Sequence, residues 1–146
     1  SGDGGFQMCL PELATVAQEG LDIKIAIINN NFLGMVRQWQ ELMNDKRYSS
    51  VNMWTPNFVK VADAYGIPAV RATTLKEARA AIEQARAHKG AFLIEFSVEQ
   101  ETNVFPMIQP GKSLNDMTRR PIQPAALGGG LGLLGKVCEP NHESHV

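Results

Sequence analysis

Apolar positions change their period several times along this chain, and the changes mark its elements. Over Pro11 to Glu19 the spacing is helical. Leu13, Val16 and Ala17 share a face, Pro11 suits a first helical position, and Gly20 follows as a stop. Lys24 to Ile28 is almost wholly apolar and predicts a buried strand ending at Asn29-Asn30. Met35, Val36, Trp39 and Met43 return to helical spacing. They predict a short amphipathic helix with its apolar stripe on a sheet, entered at Gly34. Asn44 to Trp54 has no period and reads as a loop. Thr55-Pro56 opens a helix over Pro56 to Tyr65, with Phe58, Val59, Ala62 and Tyr65 inward and Gly66 as the stop. A short strand follows over Pro68 to Ala72. Thr74 and Glu77 form a capping box for a helix over Leu75 to His88, whose Ala78, Ala81, Ile82 and Ala85 share a face. His88 and Lys89 suit its C-terminal dipole, Gly90 ends it, and Ala91 to Val98 is the next strand.

The order helix–strand–helix–helix–strand–helix–strand implies an α/β fold, a mostly parallel sheet with helices on both faces. A strand just upstream of Ser1 would complete a strand–loop–helix–strand crossover, so the fold is expected to be truncated at its N-terminal side. From Gln100 onward Pro, Gly, Asn and Asp dominate. Residues 1–99 are thus expected to form a partial domain, 100–121 an arm, and 122–146 an irregular tail of low order, rich in Gly, Leu and Pro without a period.

Bulk properties narrow the function by exclusion. A chain of 146 residues is one domain's worth, and its net charge of −1 leaves no electrostatic footprint for nucleic acid or an anionic membrane. No apolar run approaches the roughly 20 residues of a membrane span, and no signal peptide is expected within the residues given, which says little about a longer parent protein. Cys9 and Cys138 make no disulfide framework, and a reducing interior is expected.

Candidate chemistry lies at the start. In a right-handed crossover of parallel strands, the strand ends on one sheet edge lie side by side and ligands bind there. Asp3, in Gly2-Asp3-Gly4-Gly5, and Asn30, closing the first strand, would meet at that edge. One carboxylate and one carboxamide oxygen suit Mg²⁺, a hard cation that completes its shell with phosphate and water. Gly4 and Gly5 let backbone approach a phosphate, and a helix N-terminus would follow. These residues predict a Mg²⁺–diphosphate site. Taken singly, Asp3 is an ordinary turn residue and Asn29-Asn30 an ordinary strand–helix turn.

GDG followed some two dozen residues later by NN at a strand end resembles the thiamine diphosphate motif. The longer run GDGGFQM-x3-ELATVAQEGLDIKIAIINNNFLGMVRQWQELM resembles the catalytic subunit of the acetolactate synthase (acetohydroxyacid synthase) family. The likeness continues through Arg47-Tyr48-Ser49, Pro56-Asn57-Phe58, Ala62 to Gly66 and Asn103-Val104-Phe105-Pro106-Met107, and ends near Leu114 to Pro121. Residues 2–121 take part; the last 25 do not.

The resemblance implies a thiamine diphosphate-binding fold and a two-step carboligation. Pyruvate loses carbon dioxide, and its two-carbon unit joins a second 2-keto acid, pyruvate or 2-ketobutyrate, in branched-chain amino-acid biosynthesis. It also assigns roles. Asp3, Asn30 and the main-chain carbonyl of Phe32 would hold Mg²⁺. Gly2, Gly4, Gly5, Gly34, Met35 and Val36 would lie along thiamine diphosphate, and Trp39 would shape the acceptor pocket. Asn29 would be structural, and the arm would pack near the active site. The activating glutamate is expected on a missing N-terminal domain, usually of the partner subunit, and FAD on a missing middle domain. Neither Glu12 nor Glu41 replaces that glutamate, so this chain alone is expected to lack synthase activity. A homo-oligomer with its active site at the dimer interface, a regulatory small subunit, and a cytoplasmic or, in plants, plastid location are implied too. Two departures stand out: Gly5 replaces a small hydroxyl residue, and Cys9-Leu10-Pro11 replaces a more polar stretch. Other readings are a different thiamine diphosphate carboligase or decarboxylase, such as glyoxylate carboligase or pyruvate oxidase, or a non-catalytic remnant of the fold.

Two tail motifs imitate chemistry. Gly130-Leu131-Gly132-Leu133-Leu134-Gly135 satisfies G-x-G-x-x-G, but it follows no strand and leaves too little chain for a nucleotide fold. Cys138, His142 and His145 lack a fourth zinc ligand. His88 fits a helix end and needs no further role.

Overall fold

The computed structural model describes residues 1–120. The tail motifs at Gly130–Gly135 and at Cys138, His142 and His145 lie outside the described residues, as does the expectation of low order over 122–146. The elements run α1 (Asp3–Gln7), α2 (Glu12–Gln18), β1 (Lys24–Asn29), α3 (Gly34–Met43), α4 (Phe58–Ala64), β2 (Ala69–Ala72), α5 (Leu75–Ala87) and β3 (Phe92–Ser97), then a short 3-10 turn (Leu114–Asp116).

The three strands form a parallel sheet in the order β1-β3-β2. Register pairs Ile27 with Glu95 and Arg71 with Glu95, so alternation places Ile25, Ile27, Asn29, Leu93, Glu95 and Arg71 on one face. On that side Ile27 and Leu93 join Phe6, Leu13, Val16, Phe58, Ala62 and Ile67 in the larger core, which seats α1, α2 and α4. Phe6 meets Phe58 edge-to-face at 5.6 Å. On the other side Phe92, Ile94 and Ala72 pack on Ala81 and Ala85 of α5. Helices thus cover both faces, as expected for a fully parallel sheet.

Local signals account for most boundaries. Thr74 accepts from the Glu77 N–H while the Glu77 side chain accepts from the Thr74 N–H, closing the capping box of α5. Asn57 caps α4 by accepting from Lys60 N–H. That moves the start of α4 past Pro56, which the sequence reading had placed inside the helix. Gly66 ends it with a positive φ of 71°, a conformation that costs glycine little.

Three expectations need correction. The stretch after Gly2 is a helical turn, α1, and not a loop. Its two glycines are poor helix formers, but burial of Phe6 against Phe58 holds the turn. Strand β1 is not buried on both faces. Lys24, Ala26 and Ile28 are exposed because β1 is the outer named strand and α5 covers only β2 and β3. Helix α3 does not lay its apolar stripe on the sheet. Met35, Val36 and Met43 are exposed, and its buried residues are Arg37 and Gln38.

What covers Arg37 and Gln38 is the segment beyond β3. Arg37 donates to Tyr48 Oη (3.3 Å), to the Glu101 carbonyl (3.0 Å), to Glu41 Oε2 (2.9 Å) and to Asn103 Oδ1. Asn103 Nδ2 in turn donates to Glu41 Oε2 at 2.9 Å. Glu41, whose side chain is needed here, is a tether for this segment.

Candidate cofactor and metal site

Ser1 and Gly2 run parallel to β1: Gly2 bridges Ile28, and Ile28 N–H donates to the Ser1 carbonyl at 2.8 Å. Asp3 therefore begins α1 at the carboxyl end of the sheet, where β1 also ends. On the far side of the site, Asn31 to Leu33 are held by an antiparallel partner. Phe32 bridges Asn52, Leu33 N–H donates to the Val51 carbonyl (2.9 Å), and Met53 N–H to the Asn31 carbonyl (2.8 Å). Helix α3 then starts at Gly34.

Between these pieces lies a cavity of about 400 Å³. It is lined by Gly2, Asp3, Gly4, Gly5, Asn30, Phe32, Gly34, Met35 and Val36, together with Ile28 and Leu33. Every residue that the sequence reading assigned to the metal and cofactor lines this one space. Trp39 does not; it stands about one turn further along α3 from Met35 and Val36, on the same side of the helix. Ile28 and Leu33 were missed. Reading β1 as buried on both faces concealed Ile28, and Leu33 carries no polar group to mark it.

Asp3 is only 2% exposed, and its Oδ2 has no hydrogen-bond partner among the described residues. Burial pushes its carboxyl above the ordinary value, and the backbone N–H groups of Asp3, Gly4, Asn30 and Asn31 offset this only in part. A buried carboxylate oxygen without a partner is costly, and a cation beside it removes the cost. Asn30 Oδ1 accepts the Phe32 N–H at 3.1 Å, which orients its carboxamide and leaves the oxygen a second lone pair. No group of three His, Cys, Asp or Glu among the described residues could hold a metal. Asp3 and Asn30 both line this cavity, and the hard oxygens they carry are of the kind that fits Mg²⁺.

Gly4 and Gly34 are the two cavity glycines where a Cβ would crowd a neighbour, Met53 Sδ at 2.8 Å in the first case. A Cβ on Gly2 would meet nothing within 4 Å, while one on Gly34 would stand 3.1 Å from Asn30 Nδ2. Asn29 points elsewhere: its Nδ2 donates to Glu95 Oε1 at 2.9 Å and its Oδ1 accepts Asn31 N–H at 3.0 Å. Neither Glu95 nor Thr55, which donates to Asn31 Oδ1 at 2.6 Å, was assigned to the site from the sequence. Glu95 interrupts the apolar run AFLIEFSV, and that interruption was the available signal.

Comparison with known proteins places this geometry. Residues 1–96 match the family model described as thiamine pyrophosphate enzyme, C-terminal TPP binding domain. The chain is 49% identical over 119 residues to the acetolactate synthase large subunit of Cyanidium caldarium, covering 80% of this chain and 20% of that protein. It is 37% identical over 121 residues to the acetolactate synthase isozyme 2 large subunit of Escherichia coli, covering 82% and 22%. The chain thus spans about a fifth of the length of these relatives. Among solved structures, benzoylformate decarboxylase from Polynucleobacter necessarius shares the fold at a TM-score of 0.64 and 24% identity, over 70% of this chain and 19% of that one. No helix among the described residues is long and apolar enough to cross a membrane. With its parallel sheet, its glycine-bordered cavity and the family match over residues 1–96, the chain belongs to the thiamine pyrophosphate enzymes, as their C-terminal TPP-binding domain.

Proposed function

We propose that this chain is the cofactor-anchoring part of an acetolactate synthase catalytic subunit. The longer protein would decarboxylate pyruvate and transfer the two-carbon unit to a second 2-keto acid, in the synthesis of valine, leucine and isoleucine. The similarity to acetolactate synthase large subunits over about 80% of the chain supports the choice among thiamine diphosphate enzymes. The observation that carries the site reading is the buried, unpartnered Asp3 Oδ2 at a cavity that Gly2, Gly4, Gly5 and Gly34 help to line.

When bound, thiamine diphosphate supplies the carbon nucleophile and the electron sink for decarboxylation. The residues of this chain bind and orient it. Asp3 and Asn30 side chains and the Phe32 carbonyl hold Mg²⁺, and Gly2, Gly4 and Gly5 admit the diphosphate close to backbone. Gly34, Met35 and Val36 form the apolar wall, and Trp39 beyond them narrows the acceptor pocket by its bulk. The proton-transferring glutamate and FAD belong to other domains of the longer protein. Pyruvate and 2-ketobutyrate are its substrates, a homodimer encloses its active site, and a regulatory small subunit is a further partner. A cytoplasmic setting, or a plastid if the longer protein is from a plant, completes the proposal.

Titration calorimetry with Mg²⁺ and thiamine diphosphate tests the site on this chain. Weak heat from the wild type and none from Asp3→Ala is expected; equal heat from both overturns the reading. No acetolactate is expected from this chain alone. In a full-length protein carrying it, competition among pyruvate, 2-ketobutyrate and glyoxylate separates a synthase from a glyoxylate carboligase or pyruvate oxidase. There Trp39→Leu should relax acceptor preference.

A further inference from the structure

A polar chain crosses all three strands and ends in the turn that carries Asn30. Arg71 of β2, Glu95 of β3 and Asn29 of β1 lie on the same sheet face, above an otherwise apolar core. Glu95 is 1% exposed, and burying a carboxylate there is tolerable only if both oxygens find donors. They do: Oε2 accepts Arg71 Nε at 2.9 Å and Oε1 accepts Asn29 Nδ2 at 2.9 Å.

The second of these bonds has a directional effect. A carboxamide has one donor end and one acceptor end. With Nδ2 committed to Glu95, Asn29 must turn Oδ1 toward the chain beyond it, where it takes the Asn31 N–H at 3.0 Å. Asn31 has a φ of 54°, a left-handed conformation uncommon for a residue with a side chain, and Thr55 Oγ1 secures it by donating to its Oδ1 at 2.6 Å. Between these two fixed asparagines sits Asn30, whose side chain borders the Asp3 cavity.

We propose that Glu95 is a positioning residue for the metal and diphosphate site, setting the Asn29 carboxamide and through it the Asn29–Asn31 turn that presents Asn30. The assignment rests on the reading of Asp3 and Asn30 as ligands. Two donors converge on Glu95, so only an acceptor at both ends satisfies them. Glutamine of the same shape presents an NH₂ to one of them.

The test uses amide hydrogen exchange at Asn31 and Ala85, and Mn²⁺ binding in the presence of thiamine diphosphate, both on the whole chain. Glu95→Gln should speed exchange at Asn31 by on the order of tenfold, leave Ala85 unchanged, and weaken Mn²⁺ by roughly tenfold or more. The double variant Asn29→Asp with Glu95→Gln exchanges donor and acceptor: residue 95 now donates, and residue 29 accepts from it and from Asn31 N–H. Wild-type exchange at Asn31 is expected to return. Unchanged exchange in folded Glu95→Gln overturns the proposal. If Glu95→Gln fails to fold, the double variant decides: recovery supports the proposal and its failure to recover overturns it. Absence of Mn²⁺ binding to the wild type, or equal binding to Asp3→Ala, refutes the ligand reading and leaves the exchange result to judge the turn.

Discussion

Gln38 uses both ends of its carboxamide on the backbone of Val104: Nε2 donates to the carbonyl at 2.9 Å, and Oε1 accepts the N–H at 2.7 Å. One side chain of α3 thus stands in for a strand partner to a segment 66 residues away. Gln38 is 1% exposed, and its removal deletes both hydrogen bonds to Val104 and leaves that segment to water. Gln38→Leu is expected to lower unfolding free energy by about 1–3 kcal/mol. It should also expose residues 101–107 to limited proteolysis, and an unchanged cleavage rate there would contradict this role.

Glu41 makes the same attachment depend on acid. The Asn103 side chain, then Arg37, hold its carboxyl below the ordinary 4.5. A lowered folded value means that the folded state binds protons less readily than the unfolded one. Its stabilisation is complete above pH 4.5 and is lost as pH falls through the lowered folded value. Thermal melts of the wild type should therefore fall more steeply below that pH than those of Glu41→Gln. Parallel curves would count against the linkage.

Asp3 behaves in the opposite sense. Burial raises its carboxyl, so the folded state favours the proton, and stability declines as pH rises through the ordinary 3.8 toward the raised folded value. Asp3→Asn removes a buried charge whose desolvation outweighs its backbone hydrogen bonds, and should stabilise the chain at neutral pH by about 1 kcal/mol. It should also abolish Mg²⁺-dependent thiamine diphosphate binding. A variant that is less stable at pH 7 than the wild type would refute the burial argument.

Gly34 tests the cavity by its missing side chain. A methyl there stands 3.1 Å from Asn30 Nδ2, tight enough to displace that carboxamide by a few tenths of an ångström. Gly34→Ala should weaken Mn²⁺ by roughly tenfold with the fold intact, as displaced orienting groups do elsewhere. Unchanged Mn²⁺ affinity in folded Gly34→Ala would refute the contact with Asn30 as a constraint on the site.

How far the sequence could be read follows from where each signal is stored. Helix α5 and its cap were legible because Thr74 and Glu77 are three residues apart and act on each other. That Asp3 and Asn30 would lie at one sheet edge was legible through strand polarity, since parallel strands joined by a crossover end on one edge, and both line the cavity there. Arg37 and Gln38 misled because polar residues on a helix ordinarily face water. Their partners Asn103 and Val104 lie more than 60 residues on, and no local spacing announces them. Glu95 misled in the same way, its two partners lying on other strands.

Helix α3 has a double allegiance. Arg37, Gln38 and Glu41 grip the C-terminal segment, and on the opposite side of the same ten residues Met35 and Val36 wall the cavity. Only the girth of a single helix, about 10 Å, separates grip from wall. Rotating or sliding α3 to suit one tenant must disturb the other, so the cavity's shape is hostage to a stretch of chain that never enters it. Random mutagenesis aimed at a wider or narrower cavity should accordingly recover changes at Asn103 and Val104, at sites no survey of the cavity's own lining would nominate.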